Sequence, residues 1–391
     1  MVVTSYRPLE KRLSSYDFST RDLQENRRIV EKWKDLKRRP LTSINWFVAD
    51  FIDVYAGVLN IFRFMEYFQK IGVENRIIIQ GENDRTRHII NTTLMGSFPS
   101  ISSVKIFDGN PLGNIPYADV SIATYWTTAY SLLKFNDTLG KYYFIQDDER
   151  MFFQASPWSA LVEETYRFGF PAIASARSLR DMYVKEFGHE AQSFCIAVDT
   201  SLFRPMTQAP RRIVERIFFY ARPTRPRNGF DLGVLALAKI KESHPAIEII
   251  LAGADLSNCE LPMETTNLGY VTVEETAQLY RTCDLGLYLM FTRHPGVIPI
   301  ELMASGCIVV SNRSKHHNDL LADRYNCLTC VSTVSGIVHS LEEAIGNYEL
   351  RKLLCENAIR TVRSISWQSQ FRKIHDFIVG KDKRQDSGGH S

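Results

Sequence analysis

Three arginines stand close together in Tyr220-Ala-Arg-Pro-Thr-Arg-Pro-Arg-Asn-Gly-Phe230. The segment leaves an apolar run that reads as a strand and enters a helical pattern, and such strand ends are where α/β folds bind ligands. Pro223 and Pro226 restrain the loop, so Arg222, Arg225 and Arg227 project from a stiffened backbone. Guanidinium forks match phosphate oxygens, which makes a phosphate ligand the chemistry to test. A solvated basic loop has the same composition, so this segment alone leaves both readings open.

A second segment, Phe291-Thr-Arg-His-Pro-Gly-Val-Ile-Pro-Ile-Glu-Leu-Met-Ala-Ser-Gly306, repeats the order strand, loop, helix. Pro299 suits the first helical position, where its missing donor costs nothing. The backbone N–H groups of Gly296, Val297 and Ile298 would then face the strand ends with the positive end of a helix behind them, an arrangement that binds anions. Glu301 falls in the first turn, where a carboxylate either complements the helix dipole or accepts hydrogen bonds from ligand hydroxyls. A weaker third place is Asp53-Val-Tyr-Ala-Gly-Val58, where Gly57 either lets backbone approach a phosphate or simply makes the turn.

These segments need a frame of strands and helices. From Ser43 onward short apolar runs alternate with amphipathic stretches, the pattern of a parallel sheet covered by helices. Strands are expected at 44–49, 76–80, 104–107, 120–124, 142–146, 172–175 and 193–197, with a helix over 58–70. Asp199 to Arg212, with Pro205 and Pro210, interrupts the rhythm and is the expected linker. Strands at 217–221, 247–252, 285–288 and 308–311, with helices over 229–243, 273–282 and 299–305, then form a second α/β domain. The expected division is a basic helical segment over 1–43, a first domain over 44–205 joined by a returning helix over 368–380, a second domain over 206–367, and a disordered tail over 381–391.

The helix expected over 20–39 carries a narrow apolar stripe of Leu23, Ile29, Val30, Trp33 and Leu36 on a basic background. Either the stripe packs against the first domain, or the helix rests on the inner face of an anionic membrane with Trp33 in the interface. Interspersed Asp22, Glu25, Glu31 and Asp35 favour packing.

Composition narrows the function classes. A chain of 391 residues with 45% hydrophobic and 23% charged residues exceeds one ordinary core, and a net charge of +3 argues against a dedicated nucleic-acid binder. No apolar run approaches the ~20 residues that cross a bilayer, and the early Arg7, Glu10, Lys11 and Arg12 do not suit a signal peptide, so a cytoplasmic location is expected. Seven cysteines without framework spacing predict reduced thiols. Cys327 and Cys330 form a lone CxxC with no second ligand pair, so no metal is expected there.

The order of these motifs resembles the retaining GT-B glycosyltransferases of family 4 over residues 44–378. In that family the loop after the first strand of the second domain reads Gly-Arg and then Lys-Gly, and both basic residues bind the donor diphosphate. Arg222 takes the first place, Arg227 matches the lysine, and Gly229 closes the loop. A family motif with two glutamates is matched by Gly296, Glu301, Met303, Ala304 and Gly306, whereas Arg293 stands in place of the first glutamate. Leu268-Gly-Tyr-Val271 resembles the segment lining the base, and Trp367 begins a helix like the one that returns to the first domain. Tyr143-Phe-Ile-Gln-Asp-Asp-Glu149, His294-Pro295-Gly296 and the basic first helix are similar to bacterial rhamnan-assembling rhamnosyltransferases, those of S-layer glycans among them.

The resemblance implies a metal-independent enzyme with two Rossmann-like domains and a nucleotide-sugar cleft between them. It implies dTDP-β-L-rhamnose as donor, a rhamnose-containing glycan as acceptor, and retention of anomeric configuration. Arg222, Arg227 and Glu301 then hold diphosphate and ribose. Gly57, Gly269, Tyr270, Arg293, His294, Gly296, Val297 and Ile298 line the donor, and Trp126, Gln146 and Asp147 are acceptor-side candidates for which ordinary packing is an equal alternative. Rival readings are a GT-A enzyme with a metal on Asp147, Asp148 and Glu149, a nucleotide-sugar epimerase, a transferase using another donor, and a non-catalytic sensor. A dinucleotide dehydrogenase lacks its GxGxxG fingerprint.

Overall fold

A computed structural model of the chain describes residues 13–36, 39–51, 54–81, 84–207, 209–317 and 319–381. The expected tail beyond 381, the acidic and basic residues at 7–12, and Asp53 lie outside the described residues. Two compact units are present, the described parts of Met1–Cys195 with Gln368–Ser391, and Ile196–Trp367. The division falls at Cys195, so the segment 199–212 that reads as a linker belongs to the second unit, where Phe203 is buried against Tyr280.

The first unit begins with α1 (Thr20–Leu36) and continues β1 (Ser43–Ala49), α2 (Ala56–Lys70), β2 (Glu74–Gln80), α3 (Asp84–Ile89), β3 (Lys105–Asp108), β4 (Ala118–Ala123), α4 (Trp126–Lys134), β5 (Thr138–Ile145), α5 (Pro157–Tyr166), β6 (Ala172–Ala174), α6 (Arg177–Phe187) and β7 (Ala191–Ser193). Its seven strands are parallel in the order β3-β2-β1-β4-β5-β6-β7. Helices on both faces explain the near-continuous apolar runs of β1 and β5, because strands buried on both sides cannot alternate with polar residues.

The second unit runs β8 (Arg216–Tyr220), α7 (Phe230–Ser243), β9 (Glu248–Ala252), β10 (Thr266–Asn267), α8 (Val273–Thr282), β11 (Leu285–Tyr288), α9 (Ile298–Ala304), β12 (Ile308–Asn312), β13 (Leu328–Cys330), α10 (Val334–Gly346) and α11 (Tyr348–Arg363). Its parallel sheet has the order β10-β9-β8-β11-β12-β13. The strand order reverses between β8 and β11, and a crevice outside the carboxyl ends of the strands opens at such a switch point. The returning helix α12 (Trp367–Ile378) belongs to the first unit from Gln368 on. There Phe371 stacks on Tyr67 and meets Phe64 edge-on, and Gln370 accepts a hydrogen bond from the Cys195 amide.

Trp33 decides the role of α1. Its side chain is 3% exposed, covers Gly140 of β5 and donates to the Tyr142 hydroxyl at 2.9 Å. The stripe therefore packs inward, and Trp33 is not available to a membrane interface. Arg27, Arg28, Lys32 and Lys34 remain exposed, while Lys37 and Arg38 lie outside the described residues. Among the described residues no helix is long and apolar enough to cross a membrane.

The apolar stretch around the CxxC is β13. Cys327 and Cys330 are buried, burial pushes their thiols up to about 12 and about 11, and Cys330 donates to the Ser311 carbonyl at 3.2 Å. All seven cysteines are free, and among the described residues no group of three His, Cys, Asp or Glu side chains is placed to hold a metal.

Candidate functional site

The two loops that flank the switch point of the second unit carry the chemistry. Leaving β8, the chain makes successive tight turns, from the Arg225 amide to the Arg222 carbonyl at 3.1 Å and from the Asn228 amide to the Arg225 carbonyl at 2.9 Å. Pro226–Asn228 is a single 3-10 turn, which leaves Arg222 and Arg227 half-buried and turns Arg225 out to solvent. Gly229 ends the loop at φ +57°, and a Cβ there would meet the Phe291 ring at 2.7 Å, so glycine is required both by the backbone and by the neighbouring loop.

Tyr220, the last residue of β8, organises the basic loop. Arg222 Nε donates to its hydroxyl at 2.7 Å while the guanidinium carbon lies 5.1 Å from the ring centroid. With Nε occupied, the remaining guanidinium nitrogens form the fork suited to an oxyanion. Burial raises the Tyr220 hydroxyl above its ordinary pKa; Arg222 and Arg227 oppose this and Glu301 reinforces it. The Tyr220 hydroxyl thus lies within electrostatic reach of Arg222 and Arg227 of its own loop and of Glu301 from a segment distant in sequence.

The second loop, from Leu289 to Gly296, lies outside the strands, and its backbone is held by side chains and by the neighbouring loop instead. Asn312 at the end of β12 accepts from the Met290 amide at 2.7 Å and donates to the Met290 carbonyl at 2.9 Å, imitating one rung of a ladder. The Phe291 amide donates to the Arg227 carbonyl at 2.8 Å and so ties the two loops together. Gly296 has φ +78°, and a Cβ there would stand 2.2 Å from the Tyr288 hydroxyl.

The helix start differs from the expectation in two respects. α9 begins at Ile298, which puts Pro299 in the second position, and its first turn is joined by Glu301 N–H to Val297 O at 3.1 Å. The Gly296 amide is already engaged, since it donates to His294 Nδ1 at 2.8 Å. The anion-facing donors therefore reduce to Val297 and Ile298, whose amides have no protein acceptor among the described residues.

Gly269 and Tyr270 follow β10. The Gly269 carbonyl accepts from Gly253 at 2.7 Å, and a Cβ on Gly253 would strike the Tyr220 ring at 2.6 Å, so this segment abuts the same tyrosine. Tyr270 is 75% exposed and presents a flat apolar face. Arg293 is half-buried and His294 buried in the second loop. Arg222, Arg227, Gly269, Tyr270, Arg293, His294, Gly296, Val297, Ile298 and Glu301 thus share the carboxyl edge of one sheet.

The remaining candidates belong to the first unit. Gln146, after β5, donates to the Gly57 carbonyl at 2.9 Å and accepts from Asn60 at 3.1 Å, so these two strand-end positions meet. Trp126 is 4% exposed and packs among Tyr16, Phe153 and Trp158, so its ring belongs to the core. Asp147 accepts from the Asp148 amide at 2.8 Å. Asp148 is engaged by both Arg150 Nε and Nη2 at 2.8 Å, and Glu149 accepts from the Trp126 amide at 2.8 Å. Each of the three acidic residues is thus engaged in local structure.

Tyr220, Tyr288 and Asn312 were not singled out in the sequence. Tyr220 stands two residues before Arg222 and was within reach of inspection, whereas Asn312 and Tyr288 act on residues that neighbouring strands bring to them.

A family model described as the C-terminal domain of WsaF matches residues 215–342. The chain is 36% identical over 376 residues to the O-antigen biosynthesis protein RfbC of Myxococcus xanthus, covering 94% of this chain and 29% of that protein. It therefore spans under a third of that relative's length. HepE of Anabaena, solved with UDP and glucose, superposes with a TM-score of 0.68 at 13% identity over 87% of this chain and 100% of its own. TarM of S. aureus, solved with UDP and α-GlcNAc-glycerol among its ligands, gives 0.65 at 11% identity over 86% and 100%. With both sheets parallel and doubly wound, the chain has the GT-B fold.

Proposed function

We propose that the chain is a retaining glycosyltransferase that moves L-rhamnose from dTDP-β-L-rhamnose to a rhamnose-containing bacterial surface glycan. The observation that carries this reading is the Arg222 guanidinium held on Tyr220 at the switch point, with Arg227 on the same loop and Glu301 in the first turn of α9 both close enough to influence that hydroxyl electrostatically. A diphosphate fits two guanidinium groups and the Val297 and Ile298 amides, and a ribose diol fits a carboxylate. The RfbC and WsaF likenesses support a role in building a surface glycan.

Bond cleavage places negative charge on the leaving phosphate, and preorganised arginines and amides stabilise that charge. No metal is required where guanidinium groups neutralise the phosphates. The leaving phosphate itself can take the acceptor's proton, so no protein base is invoked. Arg293 stands where a carboxylate would contact the sugar in the resembled family, which suits a 6-deoxy sugar with fewer hydroxyls. Acceptor contacts are assigned to the first unit near Gln146 and Asp147, with Gly57, to which Gln146 donates, kept on the donor side, and α1's exposed basic side is the surface for any peripheral membrane contact.

A second reading, a hexosyltransferase using a UDP-sugar, is favoured by HepE having been solved with UDP-glucose. Thermal shift over UDP-, GDP- and dTDP-sugars, followed by product analysis with a rhamnosyl acceptor in EDTA, distinguishes the two. Transfer from dTDP-rhamnose in EDTA is the expected result. Stabilisation by UDP-sugars alone replaces the donor, manganese-dependent transfer points to the metal mechanism, and no shift with any of them overturns the proposal.

A further inference from the structure

We infer that His317 is a positioning residue that sets the loop from Thr292 to Gly296 for the nucleotide sugar, an inference that rests on the function proposed above. His317 follows β12 and is 1% exposed. Its Nε2 lies 3.0 Å from the Thr292 carbonyl, and because a carbonyl only accepts, Nε2 carries the proton. Nδ1 is buried without a partner. Burial pushes the ring's pKa down to about 4, and the Thr292 carbonyl, which favours the charged form, and neighbouring His316, which opposes it, leave that direction unchanged. The ring is therefore neutral and in one tautomer at ordinary pH.

The bond matters because of what Thr292 holds. Thr292 is 3% exposed in a loop without ladder bonds, so its carbonyl needs a side-chain donor. Its hydroxyl donates to the His294 carbonyl at 3.4 Å, and His294 Nδ1 accepts from the Gly296 amide at 2.8 Å. A run of hydrogen bonds thus extends from His317 to Gly296, two residues before α9, the helix that carries Glu301. An orphaned buried Nδ1 is destabilising, a cost that an apolar side chain of similar size would avoid. What the histidine supplies in return is the donor to Thr292.

The test compares wild type with His317→Phe, which fills the space without an N–H, and His317→Gln, whose amide restores a donor. Three readouts are taken on the full chain: donor KM and kcat with dTDP-β-L-rhamnose and with UDP-glucose, tryptic cleavage after Arg293 without ligand, and the unfolding midpoint. The Phe variant is expected to raise donor KM at least tenfold and to be cut faster at Arg293, with acceptor KM unchanged, and the Gln variant to recover most of both. Equal impairment of Phe and Gln, or a Phe variant with wild-type KM and cleavage rate, overturns the inference. If wild type uses neither sugar nucleotide, the functional reading fails, and the ligand-free cleavage rates still decide whether His317 sets the loop.

Discussion

Replacing Gly296 by alanine should cripple donor use, and replacing Tyr288 by phenylalanine in the same chain should restore most of it. An alanine Cβ would stand 2.2 Å from the Tyr288 hydroxyl, whereas ordinary contact begins at 3.4 Å, so about 1.2 Å must be found by moving the loop or the ring. The backbone at φ +78° adds a further ~1–2 kcal/mol for any residue bearing a Cβ. A misplacement of ~1 Å in a site that positions reactants can cost about a hundredfold, so kcat/KM for Gly296→Ala should fall by roughly that factor. Without the hydroxyl, the nearest ring atom lies at 3.2 Å and needs to give only slightly. The double variant should therefore regain most of the activity while keeping the backbone penalty. Steady-state kinetics and urea unfolding of wild type, both single variants and the double variant form a cycle that isolates the coupling, including whatever Tyr288→Phe costs alone. Independent, additive losses would refute the claim that this contact dictates the glycine.

Arg222→Ala should reduce kcat by about 10²–10³-fold, the usual loss when one preorganised stabilising donor is removed, and Tyr220→Phe should give a smaller loss because only the acceptor for Nε disappears. Steady-state rates at saturating donor rank the two, and a larger loss for Tyr220→Phe would contradict the assignment. Burial pushes Glu149 up to about 8, with Asp147 and Asp148 in the same direction and the Trp126 amide and Tyr143 hydroxyl opposing. An unfolded carboxyl titrates near ~4.3, so from there to about 8 the native state binds the extra proton; stability is full below that range, falls as pH rises and loses at most ~5 kcal/mol above it. Glu149→Gln should flatten urea-derived stability between pH 5.5 and 8.5, and an unchanged slope would count against it. Trp33→Ala should destabilise the first unit by ~3–5 kcal/mol while leaving vesicle sedimentation unchanged. Lost vesicle binding at wild-type stability would reinstate the interfacial helix.

Much of the frame was readable along the chain because apolar runs alternate with amphipathic stretches at the period of strands and helices. β11 and α8 fall at their expected residues, and most other expected strands shift by a few positions. β10 and β13 were missed for opposite reasons. Thr266–Asn267 is short and exposed and leaves no apolar signal, whereas Leu328–Cys330 is so short that its cysteines drew attention as a motif. Pro205 and Pro210 mark irregular backbone, whereas the division between the two units, at Cys195, is set by which contacts each segment makes.

By itself the sequence determined the chemical types at the candidate site: arginines on a proline-stiffened loop, a glycine and a glutamate at a helix start, and cysteines without a framework. Those properties are local, and local composition expresses them. Tertiary structure decided which groups remain available. It gave the Gly296 amide to His294, turned Arg225 outward, buried Trp33 and Trp126, and brought Glu301 within electrostatic reach of Tyr220, which holds Arg222. The first two are local turns that composition does not disclose, whereas the burial of both tryptophans and the approach of Glu301 to Tyr220 depend on partners from other segments, and the parallel sheet orders that supply them are not written in any one segment.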